Sequence, residues 1–295
     1  MAAVGGGGQL AQLRRRVKES REQPRRRLIV NADDFGRSAS INEAVIRAHR
    51  EGILTTASLM VNEADTDAAV ELARQNPGLG VGLHLALVCG RSALPQAQIP
   101  HLVDAQNQFS TAAPAAGLRY FLSGACRAEL RAEIKAQFAR FHATGLTLDH
   151  VNGHLHLHLH PVVFDILAEN AARWKIKFMR LTVDPLGLNA RLAPGQWLYR
   201  LSHAAVFGAL SARARPHLRR LGIRSTERVF GLLQNARVDA PFVRRLLPEL
   251  PPGDSELYSH PSLDQFKNEF DALVDPPVKE AVARLGIQLI RYQDL

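Results

Sequence analysis

The twelve residues from His150 to Pro161, HVNGHLHLHLHP, hold five imidazoles. Each buried imidazole needs a hydrogen-bond partner, so such a tract has no cheap packing explanation. In an extended chain His154, His156, His158 and His160 share one face and the leucines take the other; in a helix only His154 and His158 align. A loose, nonspecific metal-binding tract is the plain alternative. A second cluster, NADDFG at 31–36, sets Asp33 beside Asp34. Like charges at that spacing drive one pKa up unless a cation intervenes. A metal resolves the conflict, with one aspartate as ligand and the other free as a base; a solvated Asp-Asp turn ahead of a helix is the alternative. His84 in GLHL (82–85) and His260 in ELYSHP (256–261) carry little weight singly, because a lone histidine in an apolar run is ordinarily a hydrogen-bonded core residue. Together the clusters are far more specific. Two imidazoles and a carboxylate, with water completing the shell, form an open catalytic metal site. A spare aspartate and a spare histidine then supply base and acid.

Each cluster falls just after a strand candidate. Leu28-Ile29-Val30 is a short apolar run of the kind a buried parallel strand requires. Ser40-Ile41-Asn42-Glu43 matches the S-x-x-E capping box, helical periodicity follows through Ala44, Val45, Ala48 and His49, and Gly52 stands where a helix-ending glycine belongs. Further strand-like runs lie at 55–61, 79–88, 148–152, 178–183, 228–230, 256–258 and 288–291. Helical stretches lie at 65–74, 127–143, 162–172, 196–215, 241–247 and 278–285. This alternation predicts an α/β fold with a parallel sheet, and about eight strands suit a closed (β/α) barrel of TIM-barrel type. An open doubly wound sheet is the alternative. In a barrel the C-terminal strand ends converge on one face, which would bring Asp33, Asp34, His84, His154 and His260 together. No GxGxxG or GxxxxGK[ST] pattern supports a nucleotide-phosphate cradle, and no internal repeat is present.

The chain has 295 residues, 46% hydrophobic and 22% charged, enough for one large domain and too apolar for global disorder. No apolar run approaches the ~20 residues of a membrane-spanning helix. The two cysteines, Cys89 and Cys126, form no CxxC pair, which excludes a disulfide scaffold and a thiolate zinc site and fits a reducing cytoplasm. The net charge of +9 is concentrated at one end. Residues 1–27 hold eight basic side chains, from Arg14 to Arg27, against Glu19 and Glu22, while the other 268 residues hold 29 basic and 26 acidic groups. The basic character therefore belongs to an arm at 1–27 and is poor support for nucleic-acid binding by the body. The arm lacks the apolar stretch of a secretory signal. It is read as a disordered extension, with a basic patch on an anionic membrane and a nucleic-acid contact as the other readings.

The motifs NADDFG, GLHL, DHVNGHLHLHLHP and SHP, in that order, resemble the YdjC (ChbG-like) carbohydrate deacetylase family. The resemblance runs from about residue 28 to 295, and its specificity lies in the combination. HVNGH, VFGLLQNARVD and ELYSHP resemble the hopanoid-biosynthesis-associated HpnK branch of that family. The resemblance implies a distorted (β/α) barrel that removes N-acetyl groups from amino sugars with one divalent metal, magnesium first and zinc as the alternative that two imidazole ligands suit. It implies Asp34, His84 and His154 as ligands, Asp33 as general base and His260 as general acid. His156, His158 and Arg180 are further expected substrate contacts, and Arg180 could instead orient Asp33. One departure concerns Asn152, where relatives can carry aspartate between the two histidines of the motif; an amide cannot be an anionic orienter of His154.

The expected partner is a small N-acetylated sugar or a glycolipid, with no nucleic acid, and with a peripheral membrane contact and a homodimer among the expectations. Residues 196–220, apolar and then arginine-rich, read as a barrel-covering helix or as a lid for a lipid-linked sugar such as a glucosaminyl hopanoid. Competing functions are a metallophosphoesterase, which would hold two metals, and a non-catalytic adaptor using the basic arm.

Overall fold

The computed structural model describes residues 25–295. The chain runs β1 (Arg26–Phe35), α1 (Ala39–Glu51), β2 (Thr56–Leu59), α2 (Thr66–Arg74), β3 (Gly80–Leu85), α3 (Ala113–Leu122), α4 (Gly124–Ala143) and β4 (Val151–Gly153). It continues through α5 (Pro161–Asn170), α6 (Leu186–Leu192), α7 (Trp197–Leu221), β5 (Arg228–Phe230), α8 (Ala240–Glu249), β6 (Gly253–Ser259), α9 (Lys267–Val274), α10 (Pro276–Arg284) and β7 (Gln288–Leu289). Every strand pairing is parallel, in the order β4-β3-β2-β1-β6-β5, and β7 adds to the first residues of β1. Eight of the ten residues of β1 are buried. That is why its sequence lacks alternation: both faces of a parallel sheet are covered.

The eighth strand candidate, 178–183, is not a regular strand. It bridges the two outer strands. Val151 N donates to Phe178 O (3.0 Å) and Arg180 N to Val151 O (3.1 Å) on the β4 side, and Val229 N donates to Val183 O (3.0 Å) on the β5 side. The sheet is thereby curled round and closed, with irregular backbone at the seam. A tight turn, Val183 N to Leu181 O at 2.9 Å, interrupts the ladder there. The fold is the distorted (β/α) barrel, with seven regular strands among the described residues.

The polypeptide corrects the sequence reading at three places. Strand β1 begins at Arg26, and Arg27 pairs with Asp254 of β6 (2.6 Å), so these two arginines belong to the sheet and not to the arm. The rest of the arm, up to residue 24, lies outside the described residues. Helix α1 is capped by Ser38, whose hydroxyl accepts from Ile41 N, because the chain leaves the β1 turn extended at that residue. Ser40 instead accepts from Leu263 N at 3.0 Å. Gly52 ends α1 without a left-handed backbone (φ −117°). Its value is closeness: a Cβ there would sit 2.2 Å from the Leu273 carbonyl oxygen of α9.

Gly52→Ala should therefore push α9 away from α1 and cost about 1–3 kcal/mol as overpacking. A lowered urea midpoint with unchanged m-value checks this; an unchanged midpoint would show that α9 retreats freely.

Candidate active site

In a regular strand, adjacent aspartates would point to opposite faces. Here the β1–β2 register shifts between Ala32 and Phe35, and Asp34 takes a left-handed backbone (φ 65°). Such a conformation is costly for a non-glycine residue and concentrates at functional sites. Asp33 points into the barrel and Asp34 to its mouth. Asp34 Oδ2 accepts from Arg37 Nη1 (2.9 Å), while Oδ1 faces two imidazoles, His154 Nδ1 at 2.9 Å and His84 Nε2 at 3.2 Å.

The pairing of β3 with β4 sets His84 against Asn152. Asn152 Nδ2 donates to Asp33 Oδ1 (2.9 Å), so its carbonyl oxygen is the atom facing His84 Nδ1 (2.7 Å). His84 therefore carries its proton on Nδ1. In the neutral ring Nε2 is then a buried lone pair aimed at Asp34 Oδ1, 3.2 Å away. Lone pairs so opposed repel unless a cation lies between them. Ligand atoms of Asp34, His84 and His154 all fall within 4.8 Å of one another. The three residues fit a divalent metal, with the two imidazoles and one carboxylate of an open site.

The histidine tract is neither extended nor helical, which corrects the expectation of a shared imidazole face. After β4 it forms a tight turn, His154–Leu159, with Leu155 (φ 49°) and His156 (φ 58°) left-handed. Each ring goes to a different partner. His154 reaches Asp34, His156 Nε2 meets the Tyr258 hydroxyl (3.0 Å), His158 Nε2 donates to Arg180 O (3.0 Å) and His160 Nε2 to Gly117 O (3.0 Å). Burial and the nearby Arg180 charge push the His158 pKa down to about 3, and burial holds that of His156 well below the usual range. His156 lines the cavity described below, whereas His158 and Arg180 lie wholly buried behind its wall, out of reach of a sugar hydroxyl.

Arg180 is held there by charge. Its guanidinium donates to both oxygens of Asp33 (2.7 and 3.0 Å) and to Glu256 Oε1 (2.6 and 2.9 Å), and stacks over the Tyr258 ring at 4.4 Å. Burial raises the Asp33 pKa, but the charge and hydrogen bonds of Arg180, together with the nearby His84 and His260 charges, hold the carboxyl far below the ordinary range. Asp33 Oδ1 also accepts from Asn31 (2.8 Å) and Asn152, leaving Oδ2 with the single bond to Arg180.

His260 ends β6 at the same mouth. Its backbone N donates to Glu269 Oε2 (2.6 Å) and its Nδ1 stands 3.5 Å from the same oxygen. Burial lowers the His260 pKa, but the Glu269 carboxylate, then Asp34 and Asp33, raise it to about 9. Glu256 and Glu269 were not singled out in the sequence. The available signal was a charged residue inside an apolar strand for one and inside the apolar face of α9 for the other.

Asp33, Asp34, His84, His154 and His260 thus line one cavity of about 1250 Å³. Its far wall is apolar. Leu118 and Phe121 of α3 and Val206, Phe207 and Leu210 of α7 line it, and Tyr199 stacks on His203 at 3.7 Å. Helix α7 covers the barrel yet leaves Leu198 86% and Val206 54% exposed.

A parallel (β/α) barrel with a two-histidine, one-aspartate metal cluster at its mouth defines the class. The chain belongs to the YdjC-like protein family, whose profile matches residues 27–284. A carbohydrate deacetylase of Geobacillus stearothermophilus is 33% identical over 273 residues, 90% of this chain and 96% of that protein. One from Brevibacillus brevis is 42% identical over 150 residues, 51% of this chain. That match spans 57% of the Brevibacillus protein, a little over half its length. The crystal structure of an Enterococcus faecalis protein described as a cellobiose-phosphate cleavage protein has the same fold, with TM-score 0.71 and 21% identity over 92% of this chain and 98% of that one.

Cobalt or zinc titration of chelator-treated protein should give one tight equivalent. His154→Ala and Asp34→Ala should each weaken it by at least about tenfold, given the loss of a direct ligand. Retention of a stoichiometric tight metal in His154→Ala would remove that residue from the ligand set.

Proposed function

We propose that this protein is a metal-dependent carbohydrate deacetylase that hydrolyses the N-acetyl group of an amino sugar, releasing acetate. The observation that carries the reading is the meeting, at one cavity, of the Asp34-His84-His154 cluster with the Asp33 carboxyl and the His260 imidazole. Asp34, His84 and His154 would hold a divalent ion, which would supply Lewis-acid polarisation of the amide carbonyl and a lowered pKa for water. Asp33 orients the attacking water through the free lone pair of Oδ2 and takes its proton. The bond to Arg180 keeps Asp33 charged at every working pH. His260, protonated at neutral pH, gives its proton to the departing nitrogen, which as an unprotonated amide is a very poor leaving group. Two-metal phosphoester cleavage would need a second ligand cluster, and among the described residues only the one group of three is present.

The metal is proposed as magnesium on family resemblance, with zinc the alternative on ligand type. The substrate is proposed as a glycolipid of the N-acetylglucosaminyl hopanoid kind, in keeping with the HpnK resemblance. Two observations support an apolar aglycone. The cavity is larger than the ~300–1,000 Å³ usual for a small-molecule site, and the exposed side chains of Leu118, Phe121 and Val206 line it. A cytoplasmic protein touching the inner membrane peripherally matches this reading; no described helix is long and apolar enough to cross a membrane. The barrel is proposed as the deacetylase domain and the preceding basic arm as an accessory segment.

Acetate release from N-acetylated sugars, with and without chelator, tests the activity. Asp33→Asn and His260→Ala should each lose about 10²–10⁴-fold in kcat while still binding metal; near-native turnover in either would remove its role. An N-acetylglucosaminyl hopanoid should be preferred to a soluble N-acetylglucosamine oligomer, and the opposite preference would defeat the lipid reading.

The raised pKa of His260 sets a pH test. The protonated acid is present below about 9 and is lost as pH rises through that value, so kcat/KM should fall on an alkaline limb near 9. Glu269→Gln removes the carboxylate that raises it and should shift this limb downward. An unshifted limb would assign the ionisation to another group.

A further inference from the structure

Ser58, His150 and Asp149 have the partners of a hydrolase triad. Ser58 Oγ lies 2.9 Å from His150 Nε2, and His150 Nδ1 lies 2.9 Å from Asp149 Oδ2. Yet Ser58 has no exposed surface and His150 and Asp149 almost none, and none of the three lines the cavity. The serine cannot meet a substrate, so a nucleophilic role is excluded.

The polar bookkeeping of this trio determines every proton. Ser58 Oγ accepts from Asn31 Nδ2 (3.0 Å) and Asn152 Nδ2 (2.9 Å), which uses both its lone pairs. Its own hydrogen must go to His150 Nε2. His150 is then protonated on Nδ1 and donates to Asp149, whose other oxygen accepts from Gln293 N (3.2 Å). At the other end, the Asn152 amide is fixed with its NH2 toward Ser58 and Asp33 and its carbonyl toward His84. The donations therefore all run one way, from His84 through Asn152, Ser58 and His150 to Asp149. Two features of the scaffold hold the chain in place. His150 stacks on Tyr292 at 4.4 Å, and Gly82 of β3 leaves room for its ring, since a Cβ there would lie 2.5 Å from His150 Cε1.

We propose that Ser58, His150 and Asp149 are positioning residues that lock the Asn152 amide and so hold the His84 proton on Nδ1, leaving Nε2 bare for the metal. Asp33 and Ser58 share that lock: a reversed Asn152 amide would turn its NH2 to His84 and move the proton to Nε2. The reversed amide is excluded twice, by the acceptor-only Asp33 and by a serine with no lone pair or hydrogen to spare. The same reasoning accounts for asparagine at 152. An aspartate could accept from His84 but could not donate to Ser58, and it would stand against Asp33.

The proposal rests on the metal half of the proposed function and not on its substrate. Its readouts need no turnover, so a protein without deacetylase activity still reports on it. In the metal-free protein, imidazole ¹⁵N–¹H correlation should show His84 protonated on Nδ1. Cobalt affinity, measured by chelator competition, should fall about 10–100-fold in Ser58→Ala and in His150→Phe, whose ring keeps the stack on Tyr292 but cannot take the serine proton. A wild-type His84 protonated on Nε2, or either variant binding cobalt as tightly as wild type, overturns the proposal. If the variants fail to fold, the wild-type tautomer decides it alone.

Discussion

A guanidinium with no exposed surface, clamped between two buried carboxylates, is the constraint on which the rest of the site is built. Removing three such charges from water costs several kcal/mol per ion, and only close, hydrogen-bonded pairing offsets it. Arg180 meets that condition by donating to Asp33 and Glu256 at once, and Glu256 is further bound by the Tyr292 hydroxyl. The arrangement fixes Asp33 in place and in charge. The neighbouring groups must conform: Asn31 and Asn152 can present only N–H to Asp33 Oδ1, and the orientation of Asn152 then puts an acceptor against His84 Nδ1. The orientation of the His84 ring protons is thus set by the Asp33–Arg180 ion pair through the Asn152 amide.

The two histidines at the ends of the site are tuned in opposite senses by burial and carboxylates. His158, buried behind the wall beside a guanidinium, is neutral. His260, at the wall beside Glu269, is cationic at neutral pH. One chain thereby keeps buried imidazoles such as His158 uncharged while favouring a proton on His260, which lines the cavity. Pairs of groups whose surroundings separate their pKa values are what acid–base chemistry at one pH requires.

Much of the barrel could be read from the chain because buried parallel strands are short apolar runs, and all eight runs that were picked out lie in the sheet or at its seam. The 178–183 segment was legible as extended but not as irregular, since a tight turn between Leu181 and Val183 leaves no mark in hydropathy. Helices α3, α6 and α9 escaped notice; none has a side-chain cap, and α3 carries a proline and a glycine among its ten residues. At the site, residue types announced the chemistry but not the wiring. The meeting of Asp33, Asp34, His84, His154 and His260 was foreseeable from strand ends converging on one face. The fate of His156, His158 and His160 was not, because two left-handed residues scatter them to separate partners. The supporting residues Asn31, Ser58, Glu256 and Tyr292 were invisible for a simpler reason: each is an ordinary residue made special only by what lies across the barrel.

Tyr258, stacked against the wholly buried Arg180, lines the chamber. Behind it Arg180, Glu256 and Tyr292 are joined by hydrogen bonds and have no exposed surface. For the proposed reaction the acetyl group would be cut at the polar end of the chamber, beside Asp33 and His260, with the apolar side chains of α3 and α7 left to the rest of the substrate.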